Sequence, residues 1–263
     1  MRRLAVAAVC LMASLSAVSQ TASSAPFSDP RALSLAQKSI SALTGGIPIR
    51  DVTLNATIIS IWANKSQTGF GTFSAQGSRQ SRVDRNLSGV TRSDVRSLNN
   101  GTPAGAWSTN SSPASAYASH NCWTESAWFF PGLTSLAQFA NPAFVFRYIG
   151  IEQHGGVAVQ HIQVFQRDRQ DKTRILQRLT TTDFYLDVNS LLPMALAFKQ
   201  HSDTDVNTDL PIEIRFANYQ QPAKGVSVPY HFQELSNGTV VEDVTVTSTA
   251  LNTGLPANTF SLQ

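Results

Sequence analysis

The sequence contains very little cysteine and little charge. Cys10 and Cys122 are the only cysteines among 263 residues. Cys10 lies in a segment that we expect to be removed, so no disulfide can form within the mature chain. Charged residues make up 14% of the sequence, and no run of Lys or Arg marks a nucleic-acid-binding surface. These features exclude a disulfide scaffold and argue against DNA or RNA as a partner.

Motifs of nucleophilic and metal catalysis are also missing. The sequence has no G-x-S-x-G, no S-x-x-K and no Gly-rich loop ending in Lys-Ser or Lys-Thr. No two of its five histidines have the i, i+4 spacing of a helical zinc site. No charged residue adjoins Cys122 to stabilise a thiolate, which predicts a non-catalytic thiol. We therefore expect no enzymatic activity, no metal and no cofactor.

The N-terminus has the pattern of a secretory signal. Arg2 and Arg3 precede an uncharged run up to Val18, and small residues follow to Ala25. The run is shorter than the ~20 apolar residues that a membrane-spanning helix needs. We expect residues 1–25 to be cleaved and the protein to be exported, to the periplasm or the extracellular space. Without the two arginines the formal charge falls from +3 to +1, so charge indicates no particular partner.

One helix is predicted at the start of the remaining chain, residues 26–263, which we interpret as a single β-rich domain. Asp29 is a favourable N-cap and Pro30 suits the first helical position. Gly45 and Gly46 are typical of a helix end. The apolar residues between these signals share one face, so the helix should lie against a sheet.

Strands are predicted from residue 51 onward, where β-branched and aromatic residues alternate with polar ones. Asn237-Gly238 is a strong hairpin signal near the end of the chain. The predicted strands lie near residues 52–61, 68–76, 80–97, 143–151, 157–167, 178–188, 194–200, 211–219, 226–235 and 239–250. Meandering strands with few helices predict a mainly β fold, a curved antiparallel sheet or incomplete β-barrel lidded by helices.

Large aromatic residues are concentrated in and beside residues 99–119, a stretch rich in Gly, Ser, Pro, Ala and Asn that we predict to be a long loop. Ligand pockets favour aromatic walls, so these residues are candidates for the wall or rim of an apolar cavity. The alternative is that they plug one end of the sheet as core. The candidates are Trp107, Trp123, Trp128, Phe129 and Phe130.

The C-terminal half resembles outer-membrane lipoprotein carrier (LolA-like) proteins. In that family a strand ending in an acidic residue leads through Leu-Pro to the next strand, and a late Asn precedes a Phe. The matching residues are Phe184-Tyr185-Leu186-Asp187, Leu192-Pro193-Met194, Ile214-Arg215-Phe216 with Tyr219, Gly225-Val226, Val228-Pro229, and Leu251-Asn252 with Phe260. The first predicted helix also resembles the first helix of the family.

The resemblance implies an incomplete antiparallel barrel whose concave face receives acyl chains. The expected function is a non-enzymatic binder or carrier of an apolar ligand, a lipid or the acyl chain of a lipoprotein, in the cell envelope, with transient membrane contact. The alternative is a structural or adhesion module whose barrel is filled by side chains. The resemblance does not identify which arginine of this segment corresponds to a lid residue of the family. The candidates are Arg79, Arg82, Arg85, Arg92 and Arg96.

Overall fold

All strands of the described chain belong to one antiparallel sheet. The computed structural model describes residues 27–63, 65–110, 112–168, 170 and 172–262. The predicted signal segment lies outside these residues, so its cleavage stays a prediction. Within the described part the sheet has 13 strands in the order β6-β5-β4-β3-β2-β1-β13-β12-β11-β10-β9-β8-β7.

The strands have the following bounds: β1 Asp51–Trp62, β2 Lys65–Gln76, β3 Gln80–Leu87, β4 Val90–Asn99, β5 Thr102–Thr109, β6 Ser115–Ala116, β7 Phe144–His154, β8 Val157–Gln166, β9 Thr182–Asp187, β10 Pro193–Ser202, β11 Asp205–Ala223, β12 Val226–Ser236 and β13 Thr239–Leu251. The helices are α1 Pro30–Thr44 and α2 Ile175–Thr180, with 3-10 turns at Ser119–Trp123, Pro131–Leu133, Ser135–Gln138 and Ala257–Phe260.

The sheet curls without closing. Strands β6 and β7 are its two edges and are not paired with each other. Side chains of the concave face form one buried apolar cluster with α1 and the segment 127–136. The predicted fold class, a mainly β incomplete barrel lidded by helices, is therefore confirmed. Among the described residues no helix is long and apolar enough to span a membrane.

Helix α1 begins and ends where its sequence signals predict. The Asp29 carboxylate accepts a hydrogen bond from the Arg31 backbone N–H at 2.7 Å, and the Asp29 N–H donates to the Phe146 carbonyl on β7. At the other end Gly45 adopts φ +60°, and a Cβ there would lie 2.6 Å from the Gly225 carbonyl oxygen. Gly45 thus lets the helix end pack closely on the β11–β12 turn.

The single strand predicted over residues 80–97 is wrong, because two strands and a tight turn occupy this range. Strands β3 and β4 pair through a turn at Ser88 and Gly89, whose φ angles are +51° and +83°. Two central residues with positive φ are typical of a type I′ hairpin. The Ser-Gly pair is a weaker sequence signal than the Asn237-Gly238 turn, which forms between β12 and β13 with φ +48° and +75°.

Two other local predictions are wrong. Residues 99–119 are not one long loop, since strands β5 and β6 extend the sheet there. Their Gly, Ala and Ser residues have low strand propensity, and pairing with β4 overrides it. The strand predicted over 178–188 begins only at Thr182, because α2 occupies the residues before it.

Candidate functional site

The concave face of the sheet holds an open cavity of about 530 Å³. Strands β3 and β4 form one side, and strands β10 to β13 form the opposite side. One part of its wall is apolar and consists of Ile61, Trp62, Val83, Leu87, Trp128, Phe198, Leu210, Ile212, Ile214 and Val241. The volume lies within the range of about 300–1,000 Å³ that is usual for small-molecule sites.

The second part of the wall is charged and centres on Arg85. Its Nε and Nη2 donate to the two carboxylate oxygens of Glu242 at 2.7 and 3.1 Å. Its Nη1 donates to Asp94 at 3.0 Å. Arg85 lies on β3 and Glu242 on β13, so this bidentate pair spans the concave face across β2 and β1. All three guanidinium nitrogens are occupied by carboxylates.

Asp94 extends the charged wall towards the sheet edge. It accepts hydrogen bonds from Arg92 and from the Tyr117 hydroxyl. Burial alone would raise the pKa of Asp94, but the hydrogen bond from Arg92 and the charge of Arg85 outweigh it and lower the pKa. Burial and the neighbouring Asp94 raise the pKa of Tyr117 to about 12. Asp94 is thus a carboxylate and Tyr117 a neutral donor at neutral pH.

Glu234 differs from the other carboxylates of the cavity wall. It lies on β12 directly opposite Glu242 on β13 and Ile214 on β11. Burial, reinforced by the negative charge of Glu242, raises the pKa of Glu234 to about 7, although the positive charge of Arg85 opposes the rise. Among the described residues no side chain forms a hydrogen bond or ion pair with Glu234.

Trp128 is the one member of the predicted aromatic set found in the described cavity wall. Its half-buried ring packs edge-to-face against Phe73, Phe129 and Phe232, with ring centroids 6.1, 5.6 and 5.9 Å apart. These packed partners hold the indole in one orientation beside the open volume.

The other predicted aromatics lie in different surroundings. Phe129 and Phe130 are 0% and 1% exposed within the apolar core. Trp107 packs under the Arg92 guanidinium, which lies 4.7 Å from its ring centroid. Trp123 borders a much smaller cleft beside Arg79. A ligand contact by any member of the set stays a prediction.

Sequence reasoning missed the charged wall. Arg85 was one of five arginines in its segment, and nothing in the sequence separated it from the others. Glu234 and Glu242 carried a usable signal, because they flank the Asn237-Gly238 turn on adjacent strands. Two facing carboxylates destabilise a hairpin unless a cation compensates them, so the pair could have indicated a buried arginine.

Comparison with known proteins identifies the fold. No protein-family model and no curated protein matches the chain. A domain from Vibrio parahaemolyticus described as an outer membrane lipoprotein-sorting protein superposes with a TM-score of 0.56 at 15% identity, covering 88% of this chain and 96% of that chain. A LolA superfamily protein from Nitrosomonas europaea gives 0.52 at 11% identity, covering 88% and 97%. The chain has the LolA-like fold.

A third structure with this LolA-like fold is a DUF1329 family protein from Desulfovibrio piger, with a TM-score of 0.55 at 9% identity and coverage of 88% and 96%. The resemblance stated from the sequence is thereby confirmed at the level of fold. Its motif residues hold the sheet together: the Tyr219 hydroxyl donates to the Pro193 carbonyl at 2.7 Å, and the Asn252 side chain accepts from the Arg50 N–H at 2.7 Å. Neither residue lines the described cavity.

Proposed function

We propose that the protein is an exported, non-enzymatic binder or carrier of an apolar ligand, a lipid or acyl chain, in the cell envelope. The observation that carries the proposal is the open cavity with its apolar wall on the concave face. A structural module with a filled barrel would not need such a volume. The LolA-like fold supports the same role. One similar structure is described as an outer membrane lipoprotein-sorting protein domain, and another is described as a LolA superfamily protein.

An alkyl chain in this cavity would bind through burial of its methylene groups. Each buried CH₂ contributes about 0.8 kcal/mol. A chain of about ten carbons would therefore gain several kcal/mol even after the costs of ordering and association. The half-buried side chains Leu87, Trp128 and Leu210 of the cavity wall offer the apolar contacts, and the buried core residues Ile212 and Ile214 lie behind them.

The mouth of the cavity offers a place for the transient membrane contact that we propose. Trp62, at the end of β1, lines the cavity and is 80% exposed. Tryptophan is enriched where proteins meet the membrane–water interface. A lipid could then pass between a membrane and the cavity along this rim.

The proposal is tested by native mass spectrometry of the protein purified from its own envelope, followed by lipid extraction. We expect a reproducible co-purifying mass in the range of acyl lipids. Absence of any such mass, together with no binding of decanol by the purified protein in calorimetry, would contradict the proposed function.

Trp128→Ala is expected to weaken decanol binding about 5-fold, because the cavity loses one packed aromatic wall worth about 1 kcal/mol. Trp123→Ala is the matched control, since Trp123 lines the neighbouring small cleft but is not among the residues of the cavity wall, and it should leave the affinity unchanged. Isothermal titration calorimetry measures both. Equal affinity in wild type and Trp128→Ala would place the alkyl chain elsewhere.

A further inference from the structure

We infer that the cavity selects amphiphiles with a cationic head group, an alkyl amine or ammonium, and that Glu234 accepts this head group. The inference rests on the proposed function and names the class of ligand for the same cavity. Its basis is the distribution of charge partners along the polar wall.

The paired carboxylates of the wall already have their counterparts. Glu242 is bound by two nitrogens of Arg85, and Asp94 accepts from both Arg85 and Arg92. A third carboxylate of the wall, Glu125, is buried and accepts hydrogen bonds from the backbone N–H and the hydroxyl of Ser135. Each of these groups has its charge or its lone pairs compensated by the protein.

Glu234 has no such counterpart among the described residues, although it lies on the wall of the cavity. Three charged groups face it: Glu242 on β13, Arg85 on β3 and Asp94 on β4. Arg85 directs its donors to the other two carboxylates, so the carboxyl group of Glu234 is left open towards the cavity. A carboxylate in partly dry surroundings gains most from a cation that brings its own hydrogen-bond donors.

The neighbourhood of Glu234 suits an amphiphile in particular. Its cross-strand neighbour Ile214 is a core residue behind the cavity wall, and the half-buried Leu210, four residues from Ile214 on the same strand, lines the cavity. An ammonium group at Glu234 would therefore let its alkyl chain extend over β11. The apolar wall and the carboxyl group of Glu234 are therefore adjacent. An alkyl amine requires this arrangement, because its charged head and its apolar chain are joined directly.

An anionic head group fits this wall poorly. The donors of Arg85 are occupied, and Arg92 is held by Asp94 and Tyr117. Arg96 donates to the Asn121 carbonyl at 2.9 Å and lies over the Tyr117 ring, 4.4 Å from its centroid. A carboxylate or phosphate would find the Arg85 donors taken by protein carboxylates and those of Arg92 and Arg96 partly used, and it would face the charge of Glu234.

The test compares decylamine, decanol and decanoate by isothermal titration calorimetry at pH 8. These ligands share one alkyl chain and differ in the charge of the head. We expect wild type to bind decylamine about 10-fold more tightly than decanol, and decanoate more weakly than decanol. In Glu234→Gln the advantage of the amine over the alcohol should vanish while decanol binding persists.

Glu152→Gln is the matched control, because the Glu152 side chain is 43% exposed, lies on edge strand β7 and pairs with His161 away from the cavity. It should keep the preference for the amine. A pH series adds a second readout. The pKa of Glu234 is raised to about 7, so its negative charge, and with it the affinity for decylamine, should grow between pH 6 and pH 8, whereas the affinity for decanol should stay constant.

The outcomes separate the two proposals. Equal binding of all three ligands, tighter binding of decanoate, or an amine preference that survives Glu234→Gln would overturn the inference and leave the proposed function standing. If wild type bound none of the three ligands, the proposed function and the inference would fail together. If Glu234→Gln does not fold, wild type still tests the inference: decylamine binding no tighter than decanol binding, or an amine preference that does not grow between pH 6 and pH 8, would overturn it.

Discussion

Arg85→Ala is expected to lower the free energy of unfolding by about 3–5 kcal/mol at neutral pH, which is the usual cost of breaking a buried ion pair by removing one partner. The side chains of Arg85 and Glu242 are only 15% and 8% exposed. Without the guanidinium, Glu242 would be an uncompensated charge beside Glu234 on the concave face, whereas Asp94 would keep its ion pair with Arg92. Chemical denaturation followed by fluorescence measures the change.

The free energy of unfolding lost in Arg85→Ala should become smaller as the pH falls, because the carboxylates left without Arg85 can then be protonated. Arg215→Ala is the matched control: Arg215 is 47% exposed and pairs with Glu213 on the outside of the sheet, so its loss should cost less than about 1 kcal/mol. Equal, small effects of the two substitutions would show that the pair with Glu242 does not stabilise the fold.

Phe73→Ala is expected to destabilise the protein by about 3–5 kcal/mol through lost burial and the void left behind. Phe73 is 0% exposed, and its ring packs edge-to-face with Phe129 and Phe232, each at a centroid distance of 5.3 Å. It therefore joins strands β2 and β12 to the segment that carries Trp128. Denaturant unfolding gives the free-energy difference.

Phe70→Ala is the control within the same strand, because Phe70 is 70% exposed. Its substitution should change the unfolding free energy by no more than about 0.5 kcal/mol. A loss at Phe73 as small as the loss at Phe70 would mean that the aromatic cluster is not the packed centre of the fold.

Much of the fold could be predicted because its signals are local. Asp29, Pro30 and Gly45 define α1 through capping and backbone geometry, and Asn237-Gly238 defines the last hairpin. The alternation of apolar and polar residues along the sequence predicted the positions of most strands. The sequence-based predictions were wrong where strand pairing outweighs intrinsic strand propensity. In β5, for example, Trp107 pairs with Asp94 although the segment is poor in residues that favour strands.

The site could be predicted only in part, because its groups meet through long-range register. Arg85 and Glu242 are 157 positions apart in sequence, and they face each other only because the sheet curls. The aromatic signal was local and led to Trp128, but it could not separate this wall residue from its core neighbours Phe129 and Phe130. Side-chain direction within a kinked segment depends on packing that periodicity does not encode.

The central claim, that the concave cavity holds an apolar ligand, is tested most directly by nuclear magnetic resonance of isoleucine methyl groups during titration with decylamine. Ile212 and Ile214 are buried residues of the cavity wall whose signals report on its occupancy, whereas Ile149 and Ile151 are 50% and 60% exposed on edge strand β7. We predict saturable shifts of the Ile212 and Ile214 signals and none at Ile149 and Ile151. Shifts confined to the exposed pair, or no saturable shift at all, would contradict the claim.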